Sequence, residues 1–229
     1  MPILQGHLRG KRWIAGSSQH GCWLGSYEFQ KQNTFCLYVR QGDVVWDLGA
    51  DAGFYSLLAS VLVGSAGRVF SFEPLPTNQA YLRKHILISG ILNCKAFDLA
   101  VGDRDGTCSF EIVHTHQCHL IGQELADKNA NVITVRTVRL DDLVSSSEIL
   151  PPNLIKCGIE GTEFEALSGA AETISRYRPT IFLATHGRQV HDRCCDFLSR
   201  LNYELLPIDE SSVEKAEELL ALPTGIGAL

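Results

Sequence analysis

The segment from residue 44 to residue 62 constrains the fold more than any other part of the chain. An apolar run at 44–48 contains a single acid, Asp47, and is followed by a turn with glycines at Gly49 and Gly53. After the turn, apolar side chains recur at the spacing of one helix face: Phe54, Leu57, Leu58, Val61 and Leu62. The pattern predicts a strand, a tight turn and a helix, an arrangement that places the first backbone N–H groups of the helix around a ligand. We expect Gly49 to let the backbone approach that ligand, and Gly53 to let the helix pack close to the strand.

Two further predicted strands also end at acids. Residues 68–72 form an apolar run that ends at Glu73 and Pro74, and residues 93–97 form another that ends at Asp98 and Leu99. An acid after the second strand of such a unit is placed to hold the ribose hydroxyls of a nucleoside. The turn after the third strand is expected to lie beside the adenine. The sequence therefore predicts a nucleoside site at the carboxyl edge of a sheet.

The charges in the first turn discriminate between nucleoside ligands. A dinucleotide site uses G-x-G-x-x-G, with glycines placed for a pyrophosphate, whereas this turn has Gly49 and Gly53 with Asp51 between them. Asp47 and Asp51 would repel a pyrophosphate but suit a ligand with an ammonium and a sulfonium group, which favours S-adenosyl-L-methionine over NAD. The predicted cofactor-binding residues are Asp47, Gly49, Ala50, Asp51, Gly53, Glu73, Pro74, Asp98 and Leu99.

Strands alternate with amphipathic helices along the rest of the chain. Runs typical of further strands lie at 109–113, 132–138, 154–157, 180–183 and 203–208. This alternation predicts an α/β fold with a mainly parallel central sheet and helices on both faces. The predicted organisation is an aromatic-rich lead-in or cap at 1–40 with a short helix at 28–35, a main domain at 41–210 and a C-terminal tail at 211–229.

The composition limits the classes of protein. A chain of 229 residues with 45% hydrophobic and 20% charged residues is typical of one soluble globular domain. The net charge of -6 argues against a nucleic-acid partner, and the sequence predicts neither a membrane span nor an export signal. The eight cysteines show no C-x-x-C spacing, so we expect reduced thiols and a cytoplasmic location.

A histidine-rich loop raises a metal hypothesis. His114, His116, Cys118 and His119 are four potential metal ligands in one short segment. A structural zinc site usually takes ligand pairs from two separated segments, and no second pair is obvious in the sequence. We therefore predict a solvated loop and no metal site.

Reactive side chains from later strands are expected at the same sheet edge. Lys156 and Glu160 accompany the strand at 154–157, and His186 follows the strand at 180–183. The intrinsic pKa of a histidine suits a general base, although a histidine that only caps the following helix fits this position equally well. A lysine on an apolar strand needs some partner, and Glu160 is a candidate partner for Lys156.

Four motifs together resemble the FkbM-type methyltransferases. They are DLGADAGFY at 47–55, FEP at 72–74, LDDL at 140–143 and IKCGIEG at 155–161, within a resemblance that extends from about residue 42 to residue 203. The resemblance implies a class I methyltransferase (Rossmann-like) fold with S-adenosyl-L-methionine as the cofactor. It also implies O-methylation of a hydroxyl group on a sugar or another natural product.

Two positions depart from the family pattern. The family usually has an aspartate where this chain has Gly158, and many relatives have a glutamate where it has Ala184. The missing aspartate is expected at the junction of cofactor and acceptor, so the remaining catalytic candidates are Glu160, His186 and Lys156. Glu160 is also a candidate for binding acceptor hydroxyls, or for a structural role at the start of the following helix, where a carboxylate is favoured. We predict that Gly158→Asp speeds methyl transfer with little change in cofactor affinity.

Three functions remain open from the sequence. The first is a methyltransferase acting on a hydroxyl group of a small molecule, and the second is a cofactor-binding protein whose catalysis is weakened or lost through Gly158. The third is an NAD-linked oxidoreductase, ranked last because the second glycine of its fingerprint is missing. Neither a nucleic acid nor a membrane is expected as a partner, and the sequence leaves the acceptor and the oligomeric state open.

Overall fold

The computed structural model describes residues 1–114, 117–120, 132–208, 210 and 212–225. The helices are α1 His20–Leu24, α2 Phe29–Tyr38, α3 Phe54–Val63, α4 Pro76–Ile88, α5 Leu140–Ser145, α6 Glu163–Ser168, α7 Ala171–Tyr177 and α8 Arg188–Arg200. The strands are β1 Val44–Leu48, β2 Arg68–Phe72, β3 Cys94–Phe97, β4 Ala100–Gly102, β5 Gly106–His114, β6 Gln117–Leu120, β7 Val132–Arg139, β8 Leu154–Cys157, β9 Thr180–Ala184, β10 Tyr203–Pro207 and β11 Glu218–Pro223.

A seven-stranded sheet forms the centre of the fold, with the strand order β10-β11-β9-β8-β1-β2-β3. Neighbouring strands pair in parallel except at β11, which is antiparallel to both β9 and β10. The side chains of β1 alternate between two buried clusters, since Trp46 and Leu48 belong to one and Val45 to the other. One cluster takes residues from α2 and α3, and the other from α5, α6, α7 and α8. The predicted α/β fold with a mainly parallel sheet and helices on both faces is confirmed.

The C-terminal segment contributes a strand to the interior of this sheet. Residues 211–229, which the sequence predicts as a tail, contain β11, and this strand lies between β9 and β10. Leu219, Leu220 and Ala221 are all buried. A strand that is covered on both faces shows no alternation of polar and apolar residues, and for this reason the sequence pattern does not mark it.

A second, smaller sheet has the strand order β4-β7-β5-β6. The runs predicted as strands at 109–113 and 132–138 lie in β5 and β7, so they are strands, but they belong to this sheet and not to the central one. Leu75, Ala100 and Phe110 form a small buried cluster that joins this sheet to the turn after β2. None of the described helices is long and apolar enough to cross a bilayer.

The first 40 residues fold against the central domain. The short helix predicted at 28–35 is α2, and α1 precedes it. Trp13 is buried and stacks on the imidazole of His85 in α4, with 3.9 Å between the ring centroids. Nε2 of His85 accepts the N–H of Ile14 at 3.0 Å, and its Nδ1 donates to the carbonyl oxygen of Ala52 at 2.7 Å. This histidine therefore joins the N-terminal segment to the turn after β1.

Candidate functional site

A cavity of about 630 Å³ opens at the carboxyl edge of the central sheet. It is lined by the turns after β1 and β2 and by the segments that follow β8 and β9. Residues from the N-terminal segment and from the start of β11 complete its wall. This volume is usual for sites that bind small molecules and cofactors, and the cavity lies where the sequence predicts the ligand.

The turn after β1 has a backbone conformation that favours glycine. Gly49 has φ +72°, and a Cβ atom there would overlap the carbonyl group of Gly158. Gly49 thus lets the turn lie close to the backbone that follows β8, and it also lines the cavity. Gly53 has φ +99° at the N-cap of α3, and a Cβ atom there would overlap Leu82. The space beside Gly53 is thus occupied by a side chain of α4, and Gly53, which the sequence predicts to bind the cofactor, is not part of the cavity lining.

Glu73 connects the turns after β1 and β2 at the cavity. Its Oε2 accepts the N–H of Asp51 at 2.8 Å, and its Oε1 accepts the N–H of Leu75 at 2.9 Å and the side-chain amide of Asn78 at 3.4 Å. Burial raises the pKa of Glu73 to about 7. The carboxylate lines the cavity at the end of the second strand, which is the position the sequence predicts.

Asp47 lies behind the cavity and is not part of its lining. Its side chain is 1% exposed, and Oδ2 accepts the hydroxyl of Ser56 at 2.6 Å. Its Oδ1 lies 3.2 Å from Nζ of Lys156, which also donates to the carbonyl oxygen of Gly49 at 2.7 Å. The candidate pairing of Lys156 with Glu160 is therefore wrong, and the structure gives Asp47 the role of partner to Lys156.

The other predicted cofactor-binding residues fall into two groups. The cavity lining includes Ala50, Asp51, Pro74 and Leu99. Asp98 is not part of it, because its side chain is 78% exposed and its carboxylate lies 3.8 Å from the guanidinium of Arg83 on the surface. In the turn after β3, Leu99 is the residue that reaches the cavity.

His186 forms a close pair with a carboxylate that the sequence analysis missed. Glu163, the first residue of α6, has a fully buried side chain, and its Oε1 lies 2.5 Å from Nδ1 of His186. This hydrogen bond, and then the charge of Glu163, raises the pKa of His186. The alternative in which His186 caps α8 is not observed, since Gly187 is the N-cap and no side chain caps that helix.

The two departures from the family pattern are neighbours in the cavity. Gly158 and Ala184 both line it, and a Cβ atom at Gly158 would lie 3.9 Å from Cβ of Ala184 and 3.2 Å from Nζ of Lys156. Glu160 also lines the cavity, with its Oε2 3.8 Å from Nε2 of His186. The three catalytic candidates of the sequence analysis therefore share one cavity.

The metal hypothesis concerns the histidine-rich loop. The side chains of the histidine-rich loop at 114–119 lie outside the described residues. In the part of the chain that the structure describes, no group of three or more His, Cys, Asp or Glu side chains is placed to hold a metal ion. The seven cysteines described there are free, as predicted.

The comparisons with curated proteins agree with this geometry. A family model for the methyltransferase FkbM domain matches residues 47–205. The hexuronic acid methyltransferase AglP of Haloferax volcanii is 26% identical over 136 residues, which cover 59% of this chain and 53% of that protein. The chain thus spans about half the length of the curated relative that it matches.

Solved structures share the fold. The crystal structure of methyltransferase FkbM from Methylobacillus flagellatus KT has a TM-score of 0.54 and 16% identity, and the match covers 90% of this chain and 55% of that one. A putative rRNA-methylase from Clostridium thermocellum has a TM-score of 0.53 and 14% identity, with coverage of 85% and 92%. The family match extends over most of the chain and includes both the turn after β1 and the pair Glu163–His186. This chain belongs to the FkbM methyltransferase domain family, with a class I methyltransferase fold and S-adenosyl-L-methionine as its cofactor.

Proposed function

We propose that this protein transfers a methyl group from S-adenosyl-L-methionine to a hydroxyl group of a small molecule. The observation that supports this most strongly is that two sets of residues line one cavity. The first set, the glycine turn with Glu73, suits a nucleoside cofactor. The second set, His186 with the buried Glu163 behind it, suits the removal of a proton from an acceptor hydroxyl.

The residues around β1 and β2 fit the cofactor. Oε2 of Glu73 accepts the N–H of Asp51 and keeps a further acceptor position for a ribose hydroxyl. The acidic side chains around the cavity, which include Asp51 and Glu160, suit the positive charges of a sulfonium and an ammonium group. When bound, S-adenosyl-L-methionine supplies an electrophilic methyl group on its sulfonium.

His186 is the proposed general base. A carboxylate only accepts hydrogen bonds, so Nδ1–H of His186 donates to Glu163 and the lone pair of Nε2 is left for a proton from the acceptor. The pKa of His186 is raised by Glu163, which makes the imidazole a stronger base and fixes its orientation. Glu160, 3.8 Å from Nε2, is positioned to bind the acceptor beside the base.

The proposed acceptor is a sugar-like molecule. AglP, the curated relative, is named as a methyltransferase of a hexuronic acid, and it shares 26% identity with this chain. Methylation of a hydroxyl group needs a base and a position in line with the transferable methyl, and the cavity that His186 lines also contains the turns proposed to hold the cofactor.

Formation of S-adenosylhomocysteine with a panel of hydroxylated acceptors tests the proposal. We expect turnover with at least one sugar and a loss of about 10²–10⁴-fold in kcat for His186→Asn. The exposed His7 provides the matched control, His7→Asn, which is expected to keep full activity. Full activity in His186→Asn would contradict the assignment of the base.

A pH profile separates the role of Glu163 from a purely structural one. Glu163→Gln weakens the hydrogen bond and removes the charge that together raise the pKa of His186, so the inflection of the rate is expected at lower pH, with a lower plateau. A lower rate with an unmoved inflection would contradict the assigned role. The affinity for S-adenosylhomocysteine is expected to stay unchanged.

The two remaining hypotheses have different outcomes. The hypothesis of an NAD-linked oxidoreductase is wrong, because the chain belongs to a methyltransferase family. Binding of the cofactor without turnover of any acceptor would instead support the cofactor-binding protein with catalysis lost through Gly158. The observation that supports this second function is that Gly158 supplies no carboxylate beside Lys156, whose Nζ lies 3.2 Å from the position of a Cβ atom there.

A further inference from the structure

Part of the cavity wall comes from outside the region that matches the family. The match covers residues 47–205, whereas Glu28, Lys31 and Glu218 also line the cavity. Glu28 is the N-cap of α2, and Glu218 is the first residue of β11. We call these three residues the acceptor wall. Because they come from segments on either side of the matched region, they can give this chain an acceptor preference of its own.

Lys31 holds the two acids of the acceptor wall together. Its side chain is only 5% exposed, and Nζ donates to Oε1 of Glu218 at 2.7 Å and lies 3.2 Å from Oε2 of Glu28. The ammonium group also lies 5.4 Å from the ring centroid of Tyr55. The charge of this buried ammonium is more than offset by its two carboxylate partners, so Lys31 does not provide a free positive charge for an anionic ligand.

The second lysine of the cavity is paired in the same way. Lys156 contacts the carboxylate of Asp47 at 3.2 Å and the carbonyl oxygen of Gly49 at 2.7 Å. Among the described lining residues there is no arginine and no further lysine, and the remaining group that can carry a positive charge is His186, whose pKa is raised by its hydrogen bond with Glu163. The acids in that lining are Glu28, Asp51, Glu73, Glu160 and Glu218. The described surface of the cavity therefore carries an excess of negative charge, which opposes a carboxylate or phosphate on the acceptor.

One carboxylate oxygen of Glu218 lacks a hydrogen-bond donor in the described structure. Oε2 of Glu218 is buried and has no hydrogen-bond partner among the described residues, while Oε1 is engaged by Lys31. Burial raises the pKa of Glu218, which reflects the cost of a poorly solvated carboxylate. A hydroxyl group of a ligand is a donor that would satisfy this oxygen.

We propose that the acceptor is an uncharged polyhydroxylated molecule, held by a hydrogen bond from one of its hydroxyl groups to Glu218. The acceptor wall then discriminates against hexuronates, in contrast to the acceptor class in the name of the relative AglP. This inference rests on the proposed function and specifies its substrate class. It concerns binding, so it does not require that methyl transfer be detected.

Pairs of sugars that differ in charge alone test the proposal. Methyl glucoside and methyl glucuronide, with the corresponding galactose and mannose pairs, are titrated into the full chain saturated with S-adenosylhomocysteine. We expect an uncharged member to bind about tenfold more tightly than its uronide, or better. The proposal is overturned if no uncharged sugar binds, or if a uronide binds as tightly as its neutral partner. If no turnover is detected, the proposed function is refuted, but the binding comparison can still be interpreted.

A charge-removing variant links the preference to the acceptor wall. Glu218→Gln keeps an oxygen for the ammonium of Lys31 but removes the negative charge. The ratio of neutral to anionic affinity is expected to fall by about fivefold, as for one charge removed from a partly solvated site. The exposed neighbour gives the matched control, Glu217→Gln, in which the ratio is expected to stay unchanged. An unchanged ratio in Glu218→Gln, with affinity for S-adenosylhomocysteine intact, would overturn the role of Glu218.

Discussion

Replacing His85 by alanine is expected to loosen the N-terminal segment from the turn after β1. The imidazole is completely buried and bonds to two backbone groups that are far apart in the sequence, the N–H of Ile14 and the carbonyl oxygen of Ala52. An N–H only donates and a carbonyl only accepts, so the neutral imidazole with its proton on Nδ1 satisfies both groups. Alanine satisfies neither of them.

The expected cost follows from these contacts. Loss of the hydrogen-bond partner of the carbonyl oxygen of buried Ala52 is expected to cost about 1–3 kcal/mol of stability. Loss of the partner of the N–H of half-buried Ile14 costs less, because water can reach that group. Loss of the ring that stacks on Trp13 leaves a cavity and adds on the order of 1 kcal/mol. We therefore expect the free energy of unfolding to fall by about 3 kcal/mol at pH 7.5.

The pH dependence of this loss has a defined sign. Burial lowers the pKa of His85 below its usual value of 6.5, so the unfolded chain takes up the proton first as the pH falls. The stabilisation by His85 is fully present above pH 6.5 and is lost progressively below it. The difference in stability between the wild type and His85→Ala should therefore shrink between pH 7.5 and pH 5.5.

Urea unfolding of the two proteins at both pH values measures this difference. Taking the difference cancels the contributions of Glu73 and His186, whose raised pKa values give a slope of the opposite sign. Lys84→Ala, at the exposed neighbouring position of α4, is the control and should stay within about 0.5 kcal/mol of the wild type. A loss below about 1 kcal/mol, or a difference that does not vary with pH, would refute the reasoning.

Two further predictions concern ligand binding and rate. S-adenosylhomocysteine is expected to bind more weakly below pH 7, by up to about tenfold per pH unit, because protonation of Glu73 removes a carboxylate acceptor. Calorimetry at pH 6 and 7.5 checks this, and the variant Glu73→Gln should bind S-adenosylhomocysteine weakly at both pH values. Gly158→Asp is expected to raise the rate of methyl transfer to one working acceptor at unchanged cofactor affinity. Gly158→Ala is the control, because it adds the Cβ atom without the charge. Equal rates in the wild type and both variants would show that the position is not catalytic.

The parts of the site that the sequence predicts well are those defined by local pattern. Strand β1, its glycine turn and α3 form one continuous segment, and the apolar spacing after Gly53 identifies the helix before any contact is known. Glu73 is found in the same way, because it directly follows the apolar run of β2. The carboxyl edge of a parallel sheet then brings these turns together whatever the details of packing.

The parts that the sequence does not predict depend on contacts between distant segments. Glu163 and His186 are 23 positions apart, and they meet because β8 and β9 are paired and α6 begins beside the end of β9. Asp47 is placed correctly at the end of β1, but the alternation along the strand turns its side chain behind the cavity, towards Ser56 and Lys156. The position of a strand can therefore be predicted from the local sequence, whereas the orientation of a side chain and its partner cannot.

A negatively charged cavity attracts a cationic cofactor but does not by itself accelerate methyl transfer. The positive charge of the sulfonium is dispersed during transfer, so a nearby carboxylate stabilises the starting state at least as well as the transition state. Acceleration must come from placing the acceptor and removing its proton, the roles proposed for Glu218 and His186. Glu218 lies outside residues 47–205, the range that the family model matches. Membership of the family thus accounts for the cofactor, whereas the proposed acceptor contact at Glu218 lies in a segment that this match does not cover.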